Sequence, residues 1–548
     1  MTRRTLFASA AGSVLAAGQA PVAAAASADS QRSRNAYTMR VSAARRQREA
    51  TQPEHTANGD EQAFPTAIGN FTKGLPHNAL GEVDLNAYRQ FTQALADGAK
   101  LADMEKVPMG SSDPSRQRKF INPCCGVSFD MQGADSHHLA IPAAPSIQSA
   151  ETAGEMVEMY WLALARDVPF IQYDSDPITN AASADLNKLS IFRGPKVNNA
   201  VTAATVFRGR TSGDVAGPYL SQFLLKPIPF GAQYVEQRMR TVLPGVDFMT
   251  QYSDWLNVQN GTTPDAPSQY DSSRRYIRSG RDLAQWVHID VLYQAYFNAM
   301  LIMLQPPDAG DAVTGGGLGV PLNTGNPYLP SKNQEGFGTF GAPGIATAVA
   351  EISTRALKGV WYQKWFVHRR LRPEAYGGLV QNNLAAAATK YPLHPDVLNS
   401  QALARVRQQF GTYLLPMAFP EGSPLHPSYG AGHATVAGAC VTILKALFDE
   451  KTPIRNPVVP SADGLTLVPY SGADRDRLTV GGELDKLTAN IAIGRNFAGV
   501  HWRSDYSESL RLGEAIAVSV LQDQKATYGE EFAGFTFTGF DGAPVTVA

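Results

Sequence analysis

Cysteine is scarce in this chain, and no long apolar run occurs after its first thirty residues. Three cysteines in 548 residues cannot build a disulfide framework, and one is necessarily left over. The adjacent Cys124 and Cys125 are expected to be buried or to pair between subunits, and Cys440 to lie in a core helix. No later segment holds about 18 consecutive apolar residues, which excludes a membrane-spanning helix. Charge of one sign is missing as well. Lys and Arg total 48 against 49 Asp and Glu, so nothing calls for nucleic acid or an anionic membrane as partner. Familiar catalytic signatures fail too. No G-x-S-x-G elbow is present, His137 and His138 lack zinc-enzyme spacing, and the glycine run at Gly315 meets Pro321 without a Walker lysine.

What the chain does have is helical periodicity. Apolar residues recur at helical spacing over Asp84 to Val107, Ser146 to Arg166, Ser279 to Leu304, Gly344 to Leu371, Ala434 to Phe448 and Asp505 to Gln524. Strand-like alternation is rare, and 36 prolines punctuate the helices, so a mainly α fold with long Pro/Gly-rich loops and little β is expected. The aromatic stretch from Arg281 to Leu304 reads as a buried core helix, with a channel lining as the alternative. Residues 1–28 pair Arg3 and Arg4 with an alanine-rich stretch and A-x-A-like sites, as a twin-arginine-type leader would. The expectation is an exported protein, periplasmic or extracellular. Residues 29–63 are polar and read as an N-terminal arm, and 64–548 as one large catalytic domain, since no interior linker divides them.

Three short stretches carry the chemistry: KWFVHRRLRP from Lys364, HPSYGAGH from His426, and RNFAGVHWRSD from Arg495. Lys364, His368 and Arg372 recur at i, i+4 and i+8, which on one helix keeps them on one side, with Pro373 ending that helix. Taken alone, this is equally a basic, solvated helix face. In the second stretch the pattern turns from Pro and Gly to small apolar residues, so Gly432 and His433 should open a helix. Its free N–H groups and dipole favour an anion. His433 would stand beside that anion, well placed for proton transfer. In the third, His501 and Asp505 share a helix face, where the carboxylate could fix the ring of a histidine that binds through its other nitrogen. An ordinary i, i+4 pair is the bland alternative. Together, Lys364, Arg372 and Arg495 could enclose a tetrahedral oxyanion, each contact being worth about 4 kcal/mol before desolvation.

This set resembles the vanadium-dependent haloperoxidases, whose pattern is a lysine, an Arg-Pro, a Ser-Gly-His turn and an arginine followed six residues later by histidine. The spacing of Lys364 to Arg372, that of His426 to His433, and GVHWRSD look like the algal and bacterial bromoperoxidase branch. The likeness extends through NGDE at Asn58, INPCCGVSFD at Ile121, the segment from Pro145 and GNPYL at Gly325. It implies paired four-helix bundles, a homo-oligomer, and vanadate rather than haem as cofactor. It further implies hydrogen peroxide, bromide or iodide, and a small organic acceptor as reactants. His501 would be the axial vanadium ligand, while Lys364, Arg372, Arg495 and the Gly432 amide would hold the vanadate oxygens. His433 would be the acid–base residue, Lys364 would polarise peroxide, and His426 would favour bromide over chloride. Two departures stand out. Ala431 replaces the usual serine before Gly-His, which Ser428 could offset, and VPLNTGNPYLP lacks the carboxylates that hold calcium in red-algal relatives, so no calcium is expected. The alternatives are a phosphatase of the same superfamily, with His501 as nucleophile, and a non-catalytic oxyanion-binding protein.

Overall fold

A computed structural model describes residues 20–307, 317–385 and 391–548, with side chains from residue 30 onward. Arg3, Arg4 and most of the expected leader lie outside the described residues. The chain divides into two compact units, 1–50 and 51–548. In the first, Ala20–Glu49 is one helix (α1). Segment 29–63, expected as a single polar arm, is therefore split. Its N-terminal part is helical, and its C-terminal part belongs to the large unit, where Asp60 is buried and takes the Ile147 N–H at 2.9 Å.

The large unit is mainly helical. Helices relevant to the site are Leu85–Ala96 (α2), Ala150–Leu164 (α3), Gly280–Trp286 (α4), Gln294–Leu304 (α5), Ala342–Tyr362 (α6), Pro373–Ala385 (α7), Gly432–Leu447 (α8), Val480–Phe497 (α9) and Arg503–Thr527 (α10). Strands occur, among the described residues, as four two-stranded antiparallel sheets, including Phe535–Thr538 paired with Pro544–Val547. No described helix is long and apolar enough to cross a membrane.

Three expected helices are broken, the one over Gly344 to Leu371 by a π turn after Tyr362 and a left-handed Arg369, and the other two for reasons that their residues show. Gly98 and Ala99, both at positive φ, stop the first helix after α2. The stretch from Ser279 parts between α4 and α5, where His288 and Asp290 turn to polar partners instead of continuing an apolar stripe. One long helix, α9, was not expected at all. Its Glu483, Asp485 and Lys486 interrupt the apolar pattern, yet all are buried, with Lys486 on Glu483 at 2.6 Å and Asp485 on Lys445 of α8 at 2.5 Å.

Helix α8 is the centre of the core. It packs against α6, α9 and α10, and fifteen of its sixteen residues are buried. Its small residues let the neighbours come close. A Cβ on Gly438 would overlap the Leu510 carbonyl of α10, and one on Gly513 of α10 would overlap the Thr435 carbonyl of α8. This crossing sets the N-terminus of α8 beside the N-terminus of α10. Gly513→Val is expected to lower stability by about 1–3 kcal/mol in chemical denaturation through overpacking. Gly529→Ala, where an added Cβ meets nothing, should change it by less than about 0.5 kcal/mol.

Candidate functional site

The first stretch is not one straight helix. After Tyr362 the chain widens into a π turn over Gln363–His368, and Arg369 then adopts a left-handed conformation at φ 42°. Pro373 opens α7, so it starts a helix where the sequence reading had it end one. The expected i, i+4, i+8 line is therefore broken, and the three residues part. His368 lies edge-on to Tyr429 with both ring nitrogens unpartnered, and burial drives its pKa down to about 3. Lys364 and Arg372 nevertheless converge, because the turn brings them together from two directions. Lys364 Nζ reaches His426 Nδ1 at 2.9 Å, and Arg372 Nη2 reaches the same nitrogen at 2.8 Å.

Two donors on Nδ1 require that nitrogen to be an acceptor, so the 3.2 Å approach of the Pro427 carbonyl to it is no hydrogen bond. Burial, followed by Lys364 and Arg372, holds the His426 pKa well below the ordinary value and keeps the ring neutral. Arg372 spends its remaining donors on the carbonyls of His426 and Val500, at 3.0 and 2.7 Å, and reaches His501 Nε2 at 3.0 Å. Arg495, from the last turn of α9, gives Nη1 to the Val287 carbonyl at 2.7 Å, and its buried Nε has no partner.

Charge balance is the notable property here. Lys364, Arg372 and Arg495 are buried, and none forms an ion pair among the described residues. Elsewhere in this core, buried cations such as Lys73 and Lys486 sit on carboxylates. Burial is the largest influence on all three site cations and works against their charged forms. Such a cluster fits a multiply charged oxyanion, which would supply the missing countercharge.

His501 is poised at the start of α10. Its Nδ1 lies 2.9 Å from Asp505 Oδ2, so the proton resides on Nδ1 and the lone pair of Nε2 faces the cations. Asp505 is saturated with donors. It also takes the Trp502 N–H at 3.1 Å, Arg370 Nη1 at 3.1 Å and the Ser428 hydroxyl. Ser428, whose reach toward the place of the missing serine at 431 the sequence left open, thus gives its hydroxyl to Asp505. Ala431 is the N-cap of α8 without a side-chain cap, its own N–H held by Ser509 Oγ at 2.8 Å. Gly432, next along, is the first residue of the helix, where an N–H has no intrahelical acceptor. His433 follows, with Nε2 on Asp290 Oδ1 at 3.0 Å.

Sequence reasoning missed three contributors. Asp290 was hidden in the supposed core helix, Arg370 among the basic residues of HRRLRP, and the His288–Glu421 pair, 2.7 Å apart, in two loops. Stacking of His288 on Phe419, with the Arg495 guanidinium also over that ring, sets the pair beside the site. Only the break at Val287 to Val291 could have signalled Asp290, an acid facing a helix start. The three cysteines are free, Cys440 buried in α8 and the other two half-buried.

Fold and site define a helical protein with a buried cluster of cationic side chains and imidazoles at two helix starts. Similarity searches agree. A family model for the second helical-bundle domain of VCPO matches residues 396–529. The chain is 37% identical to a vanadium-dependent bromoperoxidase of Corallina pilulifera, across 90% of this chain and 94% of that one. It is 35% identical to the Ascophyllum nodosum enzyme, across 93% and 92%. The homohexameric second vanadate-dependent bromoperoxidase of A. nodosum superposes with a TM-score of 0.86 at 31% identity, covering 99% of this chain and 94% of that one. The chain belongs to the vanadium-dependent bromoperoxidase family.

A proton-linked binding signature follows. An oxyanion seated beside Lys364 raises a pKa that burial had lowered, so binding takes up protons. Between the lowered and the raised value, affinity should fall as pH rises. Calorimetry of phosphate binding in buffers of different ionisation enthalpy should show net uptake, and Lys364→Met should reduce it.

Proposed function

We propose that this chain is a vanadate-dependent bromoperoxidase, using hydrogen peroxide to oxidise bromide or iodide to a hypohalous-acid-like species that halogenates an organic acceptor. The observation that carries this reading is the cluster of three buried cations, without carboxylate partners, around His501 Nε2. The residues fit vanadate: fork and point donors for its oxygens, a free helix-start amide, and an imidazole lone pair for its metal. Bound vanadate would supply a Lewis-acid centre that makes peroxide electrophilic without a change of metal oxidation state.

The residues divide the work. His501 would hold the metal through Nε2, its ring fixed by Asp505 through Nδ1. Lys364, Arg372, Arg495 and the Gly432 N–H would hold the oxyanion and neutralise its charge. His433 would accept a proton from incoming peroxide at the ring nitrogen that Asp290 does not hold and return it, with Asp290 steadying the ring through Nε2–H. Lys364 would also donate a hydrogen bond to peroxide at the site and polarise it. His426, neutral and 4.9 Å from the Trp361 ring, stands where the resemblance places an aromatic residue in chloroperoxidases and favours bromide. Paired helical bundles, export by a twin-arginine leader and assembly into a homo-oligomer belong to the same proposal. The last is supported by the homohexameric relative.

Purified protein supplied with orthovanadate, peroxide and bromide should brominate a phenolic dye. His501→Ala should lower that activity by at least about a hundredfold. Aryl phosphate cleavage without halogenation would instead favour the phosphatase, and oxyanion binding without turnover a receptor. A second test concerns Ala431. Ala431→Ser restores a hydroxyl at an uncapped helix start and beside the anion. It should tighten vanadate binding about tenfold and raise stability by about 0.5–2 kcal/mol, read by calorimetry and denaturation.

A further inference from the structure

Arg370 is two residues from Arg372 but serves a different layer. It is 1% exposed, and its guanidinium faces the N-terminus of α10. Nη1 donates to Ser504 Oγ at 2.8 Å and Asp505 Oδ1 at 3.1 Å, and Nη2 lies 3.2 Å from Glu155 Oε2 and 3.4 Å from Thr152 Oγ1. Trp502 lies against it, 4.7 Å from guanidinium carbon to ring centroid. Glu155, on α3, in turn accepts the Ser504 N–H at 2.7 Å and the Ser504 hydroxyl at 2.9 Å. The backbone is tied in as well, since the Arg370 carbonyl accepts the Ser428 N–H at 3.0 Å. Ser428 then closes the circuit by giving its hydroxyl to Asp505.

The two oxygens of Asp505 are thereby divided. Oδ1 belongs to Arg370, and Oδ2 receives His501 Nδ1, the Trp502 N–H and Ser428. A carboxylate held from one side by a rigid cationic fork presents its other oxygen in a fixed direction, and that direction sets the plane and tautomer of His501. Without the fork, Asp505 and Glu155 would be two buried carboxylates close to a site built to receive an anion.

We infer that Arg370 is a positioning residue for the oxyanion centre: through Asp505 it fixes the orientation and tautomer of His501 and shields the bound anion from the Asp505 charge. This rests on the vanadate reading and names a residue that acts without touching the anion. The competing role is structural, with Arg370 present only to balance Glu155.

The discriminating variant is the charge-balanced Arg370→Met/Glu155→Gln, compared with Arg370→Lys and the parent. Orthovanadate and phosphate affinities are measured by calorimetry, the His501 ring nitrogens by 15N NMR, and the fold by circular dichroism. If Arg370 positions His501, the folded double variant binds both anions at least about tenfold more weakly. Its His501 also loses the single Nδ1–H tautomer. Arg370→Lys, which keeps the charge without the fork, falls between. Affinities within twofold of the parent and an unchanged tautomer in the double variant would overturn the inference, and should that variant not fold, the same outcome in Arg370→Lys would do so. Failure of the vanadate reading itself would look different, as absence of oxyanion binding by the unsubstituted protein.

Discussion

Burial of positive charge without negative charge is the constraint on which this structure turns. Lys364, Arg372 and Arg495 lie inside the core with carbonyls and neutral imidazoles as their partners, an arrangement that costs free energy until an anion enters. The desolvation seen in the lowered pKa of Lys364 is the sign of that cost. A protein keeps such an arrangement where the missing charge arrives as a ligand, and several fork and point donors on one centre suit an oxyanion.

The rest of the fold holds this unbalanced centre in place. Close contact of α8 and α10 through Gly438 and Gly513 sets two helix starts side by side, one carrying Gly432 and His433, the other leading from His501 to Asp505. Each histidine of the site then receives its own orienting partner. His501 has Asp505, His433 has Asp290, and His426 has two cations that keep it neutral. Carboxylates are present, but behind the imidazoles and not against the cations. In the proposed reading an anion would be held by the positive groups while the acids act one layer away, fixing ring orientation.

Much of this was legible in the sequence, and what was not has identifiable causes. The spaced motifs pointed to Lys364, Arg372, His426 and His501, whose side chains meet in the core, and to a helix that opens at Gly432 and His433. The i, i+4 spacing of His501 and Asp505 found their pair. Periodicity, by contrast, misjudged the path between Lys364 and Arg372, since a π turn and a left-handed Arg369 leave no mark in an apolar pattern. It also concealed α9, whose buried ion pairs read as polar, and Asp290, which sits in a break inside an apolar stretch. The reach of Ser428 stayed open because proximity in sequence to Ala431 does not give direction in space, and its hydroxyl goes to Asp505.

Crystals of the protein grown with orthovanadate and measured for anomalous scattering from vanadium test the central claim most directly. The account expects one vanadium per chain, bonded to His501 Nε2 and surrounded by Lys364, Arg372, Arg495 and the Gly432 amide. Vanadium bound elsewhere, or a saturated crystal in which these cations keep their present partners and His501 Nε2 stays on Arg372, would contradict it.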